Sequence, residues 1–350
     1  MMPDFLAKMF TNRFDPGYLP IFESKLFFEG EKRNRQIMNF IVLLSLATVI
    51  ATYGVVTDST ASVIGAMIIA PLMTPIMAVA AAVILGSTIR VRNALRLVIS
   101  GILGVIVLAM LLTFFIPDSV IAFTTNSQIT SRVSPGLLDL MIALAAGAAG
   151  AYAIGRQEIA DSLAGVAIAI SLVPPLSVVG ISLAKGQWVD SGGAFLLFLT
   201  NFFAILLAGA IVFRLMGLEQ LGFSDASKDA KRTAIRVIIV GTLLITLLLT
   251  VTSYNAYMRT SERTGTADAV SDWLDGTSFQ IIGIKVQPSV VDITIRGDGK
   301  VPPLADLHTQ LNNVYGHPMK IELHVTPYTS QSYPLQVITR EPGTPDDSGL

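Results

Sequence analysis

Apolar segments follow one another along most of the chain, from about residue 39 to residue 257. A helix crosses the hydrocarbon of a bilayer with about 20 apolar residues, and seven segments come close to that length. They lie at about 39–57, 61–87, 95–116, 137–155, 162–184, 193–213 and 235–257. The pattern predicts an α-helical polytopic membrane domain of seven spans over residues 39–257, after a polar N-terminal segment at 1–38.

The second apolar segment contains two prolines near its middle, Pro71 and Pro75, and no charged residue. Proline removes a backbone donor and clashes with the preceding helical turn, so an unbroken helix is disfavoured there. Thr74 followed by Pro75 is typical of a helix start, with a hydroxyl at the N-cap and proline at the first helical position. The sequence therefore predicts a helix that stops and restarts at mid-membrane depth.

The residues after the last apolar segment have a different pattern. β-branched runs and helical punctuation predict an α-β-β-α-β domain over residues 266–328. Its elements are a helix at 267–275, strands at 281–286 and 290–296, a helix at 302–315 and a strand at 319–325. Residues 329–350, rich in proline, glycine and aspartate, are expected to be disordered.

Composition agrees with a membrane protein and excludes several other classes. Hydrophobic residues make up 52% of the chain and charged residues 14%, against about 25% charged in soluble domains. The formal net charge of −1 gives no indication of nucleic-acid binding. The chain has no cysteine, so disulfides and thiolate metal sites are excluded, and the spacing of its three histidines matches no zinc site. No metal or cofactor is expected.

The distribution of positive charge predicts an orientation. With a cytoplasmic N-terminus, fifteen lysines and arginines fall on the inner side and four on the outer side. Because cytoplasmic loops carry the excess of positive charge, we expect a multi-pass protein of the plasma (inner) membrane whose N-terminus is cytoplasmic. The domain at 266–328 is then extracytoplasmic.

An internal repeat appears when the chain is shifted by 103 residues. Asp58 then meets Asp161, Pro71 meets Pro174, and Thr74 falls on Ser177. Each copy would hold three spans with the broken span in the middle, and an odd number turns the second copy upside down. We therefore predict a three-plus-three inverted repeat with two broken helices, a pattern that points to a transporter core with a site near the midplane.

Five segments carry a resemblance to a known family. They are KLFFEG (25–30), GVVTDSTASVIGAMIIAPLMTPI (54–76), TNSQITSRVSPGLLDL (125–140), GVAIAISLVPPL (165–176) and FLTN (198–201). The chain resembles the domain of unknown function 389 (DUF389) family of bacterial and archaeal membrane proteins. The resemblance implies a polytopic plasma-membrane protein with a small soluble domain, and it implies no established substrate.

Two readings of the paired breaks stay open, a substrate or ion site and kinked helices that only pack. For the first, the candidate binding residues are Pro71, Thr74, Pro75, Pro174, Pro175, Ser177 and Asn201. Asp58 and Asp161, just before the broken helices, are candidates for helix capping or for gating.

The first functional hypothesis is a transporter-like or channel-like protein for a small polar or anionic solute. The spans carry almost no ionisable group, which disfavours proton pumping and an intramembrane enzyme. The second is an envelope sensor or assembly scaffold that anchors the outer domain. The lipid bilayer is the expected partner, and the sequence leaves a homo-oligomer open.

Overall fold

The computed structural model describes residues 14–157, 172–221, 228–287, 290–315 and 318–327. Asp161, the first part of the predicted span 162–184 and the predicted disordered tail 329–350 lie outside this part of the chain. The chain divides into two compact units, Met1–Asn255 and Ala256–Leu350.

The first unit is helical. Its helices are α1 (Leu19–Leu26), α2 (Arg33–Val56), α3 (Thr60–Ile69), α4 (Met73–Leu85), α5 (Thr88–Phe114), α6 (Ser127–Val133), α7 (Leu137–Ile154), α8 (Val173–Ala184) and α9 (Trp188–Leu215). Helix α10 (Lys228–Trp273) begins in the first unit and ends in the second.

Several of these helices have the length and composition of membrane spans. Within the described residues, five stretches pass this test, and the bent pair α3–α4 makes a sixth. The stretches are Pro16–Val56, Thr88–Phe114, Leu137–Ile154, Trp188–Leu215 and Arg232–Tyr254. The predicted span 162–184 is described only from Leu172 onward, and the shorter apolar helix α8 begins at Val173.

Large apolar side chains point outward from these helices. Leu103 on α5, Leu138 on α7 and Leu247 on α10 are 57%, 79% and 62% exposed. Soluble monomers rarely expose contiguous apolar surface on this scale. The outward-facing leucines and the long apolar helices are consistent with a membrane protein.

The second unit is a three-stranded sheet with helices. Strands β1 (Gln280–Gln287) and β2 (Val290–Arg296) pair antiparallel, and β3 (Lys320–Thr326) pairs parallel to β2 after helix α11 (Leu304–Tyr315). Alternating Val291, Ile293 and Ile295 are buried from β2, as the period-2 pattern predicted.

The helix predicted at 267–275 is confirmed as far as Trp273, but it is not a separate helix. These residues are the end of α10, which continues without interruption from Lys228 to Trp273. The sequence between the predicted span and the predicted helix contains no proline, and its polar residues are compatible with a helix once it leaves an apolar environment. The C-terminal turn is held by Trp273, whose ring nitrogen donates to the carbonyl oxygen of Pro303 at 3.0 Å.

Candidate functional site

The first helix break lies where the prolines predicted it. Helix α3 ends at Ile69, Ala70 is extended (φ −65°, ψ 121°), and α4 begins at Met73 after a bend of 45°. Because Pro71 has no N–H, the helical ladder cannot continue through it. The amide of Thr74 donates to the carbonyl of Pro71 at 3.3 Å and closes the turn.

The predicted start of the second half-helix is two residues too late. The N-cap position is Leu72, with no side-chain hydrogen bond to the cap, so Thr74 and Pro75 are the second and third residues of α4. Pro75 costs no helical hydrogen bond there, since the first amides of a helix have no intrahelical acceptor. Thr74 therefore is not the capping residue.

The second proline pair also lies in the first turn of a helix. Helix α8 begins at Val173, so Pro174 and Pro175 are its second and third residues. Both prolines are buried, and Ser177 follows on the same helix. The structure does not describe residues 158–171, so it shows the helix that starts after this predicted break and not the residues before it.

Both restarting half-helices are buried on all sides. Every residue of α4 from Pro75 to Leu85 is buried, and so is every residue of α8 from Val173 to Ser182. A helix that is apolar all round belongs in the interior of a bundle. Helix α9 packs against both half-helices, and α5 also packs against both. Leu72 and Leu176 belong to the same buried cluster.

Three polar side chains lie buried on these packed helices. The hydroxyls of Ser177 and Ser182 on α8 have no hydrogen-bond partner among the described residues, and both serines are 0% exposed. Asn201 on α9 is 7% exposed. A buried polar atom without a partner is costly, so an unpaired hydroxyl needs an explanation.

Asp58 caps a neighbouring helix rather than its own. The N-cap of α3 is Ser59, whose side chain accepts from the amide of Ser62. Asp58 adopts a left-handed conformation (φ 53°), and its carboxylate accepts from the Ser127 hydroxyl at 2.7 Å and the Gln128 amide at 3.1 Å. These hydrogen bonds lower the pKa of the Asp58 carboxyl, with Ser127 contributing most.

Segments 54–60 and 125–128 are joined by a second contact. Buried Asn126 donates to the Val55 carbonyl at 2.7 Å and accepts from the Ile129 amide at 3.0 Å. Two of the segments that carry the family resemblance are therefore joined by hydrogen bonds, which connect the end of α2 to the start of α6.

A cavity of about 300 Å³ lies beside the first break. Of the seven predicted binding residues, Pro75 alone lines it. Its polar wall is formed by Glu29, Arg33, Arg90, Asn93, Arg96 and Ser100. The sequence reasoning used these arginines only to infer orientation and missed the cavity, because its lining comes from α1, the turn after it, α2, α4 and α5.

Arg90 is held by a cluster from the N-terminal segment. Its guanidinium donates to Glu23 at 2.6 and 3.1 Å and to Glu29 at 3.2 and 3.1 Å. Its carbon Cζ lies 4.5 Å from the centroid of the Phe27 ring. Phe27 and Glu29 belong to KLFFEG, so that segment was the available signal for this cluster.

The helical unit, with its long apolar helices and outward-facing apolar residues, is consistent with a membrane protein, and a small α/β unit follows it along the chain. Residues 67–207 match the family model described as "Domain of unknown function (DUF389)", and the predicted resemblance is thereby confirmed. An uncharacterized protein of the archaeon Methanocaldococcus jannaschii is 31% identical over 209 residues. That match covers 60% of this chain and 64% of the relative, less than two thirds of its length. No solved structure matches the chain.

Proposed function

We propose that the chain moves a small polar or anionic solute across the membrane, as a transporter or channel and without enzymatic chemistry. The observation that carries the proposal is the buried Ser177 hydroxyl, unpaired among the described residues and located in the first turns of a half-helix that follows two prolines. The start of a half-helix carries a partial positive charge. In the first turn of α8 the amide donors are those of Val173 and Leu176, because the two prolines between them have no N–H. A solute at this point would give the hydroxyl its missing partner.

The inverted repeat remains part of the proposal, and the arrangement of helices supports it. With the 103-residue shift, α2 corresponds to α7, α4 to α8 and α5 to α9. Helix α4 packs against α5 and α9, while α8 packs against α9 and α5. This exchange of partners is what a pseudo-twofold axis relating the two copies produces. In this arrangement α10 supplies the seventh span.

The solute class follows from the charges of the spans. Among the described helices α2–α5 and α7–α9, acidic residues occur only in α7 and α9, as Asp139 and Asp190, and each lies in the first turn of its helix. A buried cation would need carboxylates or many carbonyl oxygens. Amides, hydroxyls and the Asn201 amide suit an anion or a neutral polar solute better.

The test compares Ser177→Ala with Ser182→Ala, which removes an equally buried and unpaired hydroxyl from the same helix. Proteoliposomes would be challenged with chloride, nitrate, acetate, inorganic phosphate and glycerol, and swelling would report entry. We expect Ser177→Ala to slow entry of at least one solute about tenfold, and Ser182→Ala to leave it unchanged. Both variants should fold at least as stably as the parent, since each loses only a desolvated, unpaired group. Equal rates for Ser177→Ala and the parent would refute the site.

A second function is favoured by the edges of the small sheet. β1 and β3 are its outer strands, and Ile282 on β1 and Val325 on β3 are 50% and 45% exposed. Edge strands with exposed apolar residues are ready surfaces for another chain. If the unit serves as a sensor or scaffold, deleting residues 275–350 will abolish partner binding and leave solute entry intact.

A further inference from the structure

We propose that an anionic phospholipid binds the first unit, with its headgroup in the arginine-lined cavity and one acyl chain in the groove between α2 and α5. The proposal rests on the membrane location of these helices and is independent of solute transport. It assigns to the cavity a ligand class that differs from the solute proposed above.

The headgroup region has more positive charge than its own carboxylates neutralise. Arg90 is already paired with Glu23 and Glu29. Arg33 and Arg96 line the same cavity and form no ion pair with the residues that the structure describes. Asn93 adds an amide donor to the wall. One guanidinium group can donate two parallel hydrogen bonds to the oxygens of a phosphate. Two arginines without a carboxylate partner among the described residues therefore suit a phosphodiester.

An apolar groove of about 450 Å³ continues from this cavity. The two share Ile37, Leu97 and Ser100 in their walls. The groove is lined mainly by apolar residues of α2 and α5, among them Phe40, Ile41, Leu44, Gly101, Gly104 and Leu108.

The groove has the dimensions of a lipid tail. Helix α5 rises about 1.5 Å per residue, so Leu97 to Leu108 spans about 16 Å. This is about half of the roughly 30 Å hydrocarbon thickness, which is the depth of one leaflet. No heavy atom lies within 4 Å of the Cβ position that a side chain at Gly104 would have, so the absence of a side chain there keeps the groove open.

The combination of head and tail regions selects a lipid over a soluble anion. A soluble phosphate would use only the arginine-lined part and leave the groove empty. In the predicted orientation the arginines lie at the cytoplasmic leaflet, where basic pockets between membrane helices bind anionic headgroups. A zwitterionic lipid would gain the tail contacts but bring a cation toward the arginines.

The first experiment measures lipid retention by the purified full chain in detergent, using native mass spectrometry. Phosphatidylglycerol, phosphatidylcholine and water-soluble glycerol phosphate are added separately. We expect phosphatidylglycerol to be retained, and Arg33→Gln with Arg96→Gln to lower that retention at least about tenfold through lost charge-assisted hydrogen bonds. Arg92→Gln is the matched control, because Arg92 is on the same helix but lines a different cavity.

A second variant tests the groove without changing charge. Gly104→Leu should lower retention of phosphatidylglycerol, while Gly65→Leu, also at an open position, should not. Melting temperature in detergent verifies that each variant folds. If the double glutamine variant does not fold, Arg33→Lys with Arg96→Lys keeps the charge and should retain weaker lipid binding.

Three results would overturn the proposal. They are equal retention of phosphatidylglycerol by the arginine variants and the parent, retention of phosphatidylcholine equal to that of phosphatidylglycerol, and retention of glycerol phosphate equal to that of phosphatidylglycerol. The last result would assign the cavity to a soluble anion. None of these measurements depends on solute movement, so a failure here leaves the transport proposal standing.

Discussion

The turn at Asp58 shows what a single residue's neighbours in sequence can and cannot predict. An acidic residue just before a helix suggests a cap, but Ser59 caps α3 and the Asp58 carboxylate reaches α6, 69 and 70 residues further along the chain. That contact depends on how α6 folds back, which no local pattern reports. To make this contact, Asp58 adopts a left-handed backbone conformation, which aspartate and asparagine tolerate better than most residues.

Replacing Asp58 by Asn should lower the melting temperature of the protein in detergent at pH 7. The variant keeps a residue that tolerates positive φ but loses the charge that accepts from Ser127 and Gln128. Since the folded pKa of Asp58 lies below its ordinary value, the carboxylate's contribution is complete above the unfolded pKa of about 3.9 and is lost as pH falls through the folded pKa.

The measurement is a series of melting curves from about pH 7 to about pH 3 for parent and variant. The difference in melting temperature between parent and variant should become smaller as the pH falls toward about 3. A gap of constant size across the series would show that the carboxylate's charge has no part in it.

At the scale of elements, the apolar segments and the break at Pro71 could be predicted because span length and missing amides are local properties. The start of α4 at Met73 and the continuity of α10 could not. The start of α4 is set by the turn in which the Thr74 amide donates to the Pro71 carbonyl. The continuity of α10 depends on a polar stretch whose sequence suits a helix and a loop equally well. In the sequence, a close approach between two helices is indicated only by small residues such as Gly147. A Cβ added at Gly147 would lie 2.9 Å from the Cα of Ile205.

Gly180 lies at a close approach of the half-helix α8 to the long helix α5. A Cβ there would lie 2.6 Å from the Ile106 carbonyl oxygen and 2.7 Å from the Ala109 Cβ. Gly180→Ala should therefore destabilise the protein by about 1–3 kcal/mol, the usual cost of overpacking. Gly192→Ala on α9, where nothing lies within 4 Å, should be neutral or stabilising by up to about 1 kcal/mol.

Denaturant unfolding of the two variants in mixed micelles gives the comparison. A Gly180→Ala protein as stable as the parent would mean that α5 and α8 are not in the contact described.

For the whole molecule, apolar segments and composition predicted a polytopic protein, and the β-branched runs predicted a small α/β unit. The inverted repeat stays a prediction, and the packing of α4 and α8 against α5 and α9 is compatible with it. The arginine cavity was beyond sequence reasoning. Its wall comes from Phe27, Arg33, Pro75 and Arg96, which lie on separate elements, and nothing in their spacing along the chain brings them together.

The inverted repeat makes a prediction about the two sides of the membrane. Thr88 and Val189 follow the two half-helices and are both exposed, and inversion places them on opposite sides. Because the chain has no cysteine, Thr88→Cys and Val189→Cys each give a single thiol. We expect a membrane-impermeant maleimide to label Val189→Cys in intact cells and Thr88→Cys only after permeabilisation.

Labelling of both thiols from the same side would contradict the inverted arrangement. Labelling of Thr88→Cys alone in intact cells would keep the inversion and reverse the orientation.

The ion pairs of Arg90 with Glu23 and Glu29 have a consequence for the order in which the protein is synthesised. Glu23 and Glu29 are synthesised 67 and 61 residues before the arginine that they neutralise. The two apolar segments predicted at 39–57 and 61–87 lie between these carboxylates and Arg90, so both segments are synthesised before the cation that the carboxylates neutralise. An expression tag is therefore best placed upstream of the N-terminal segment, so that Glu23 and Glu29 are kept as partners of Arg90.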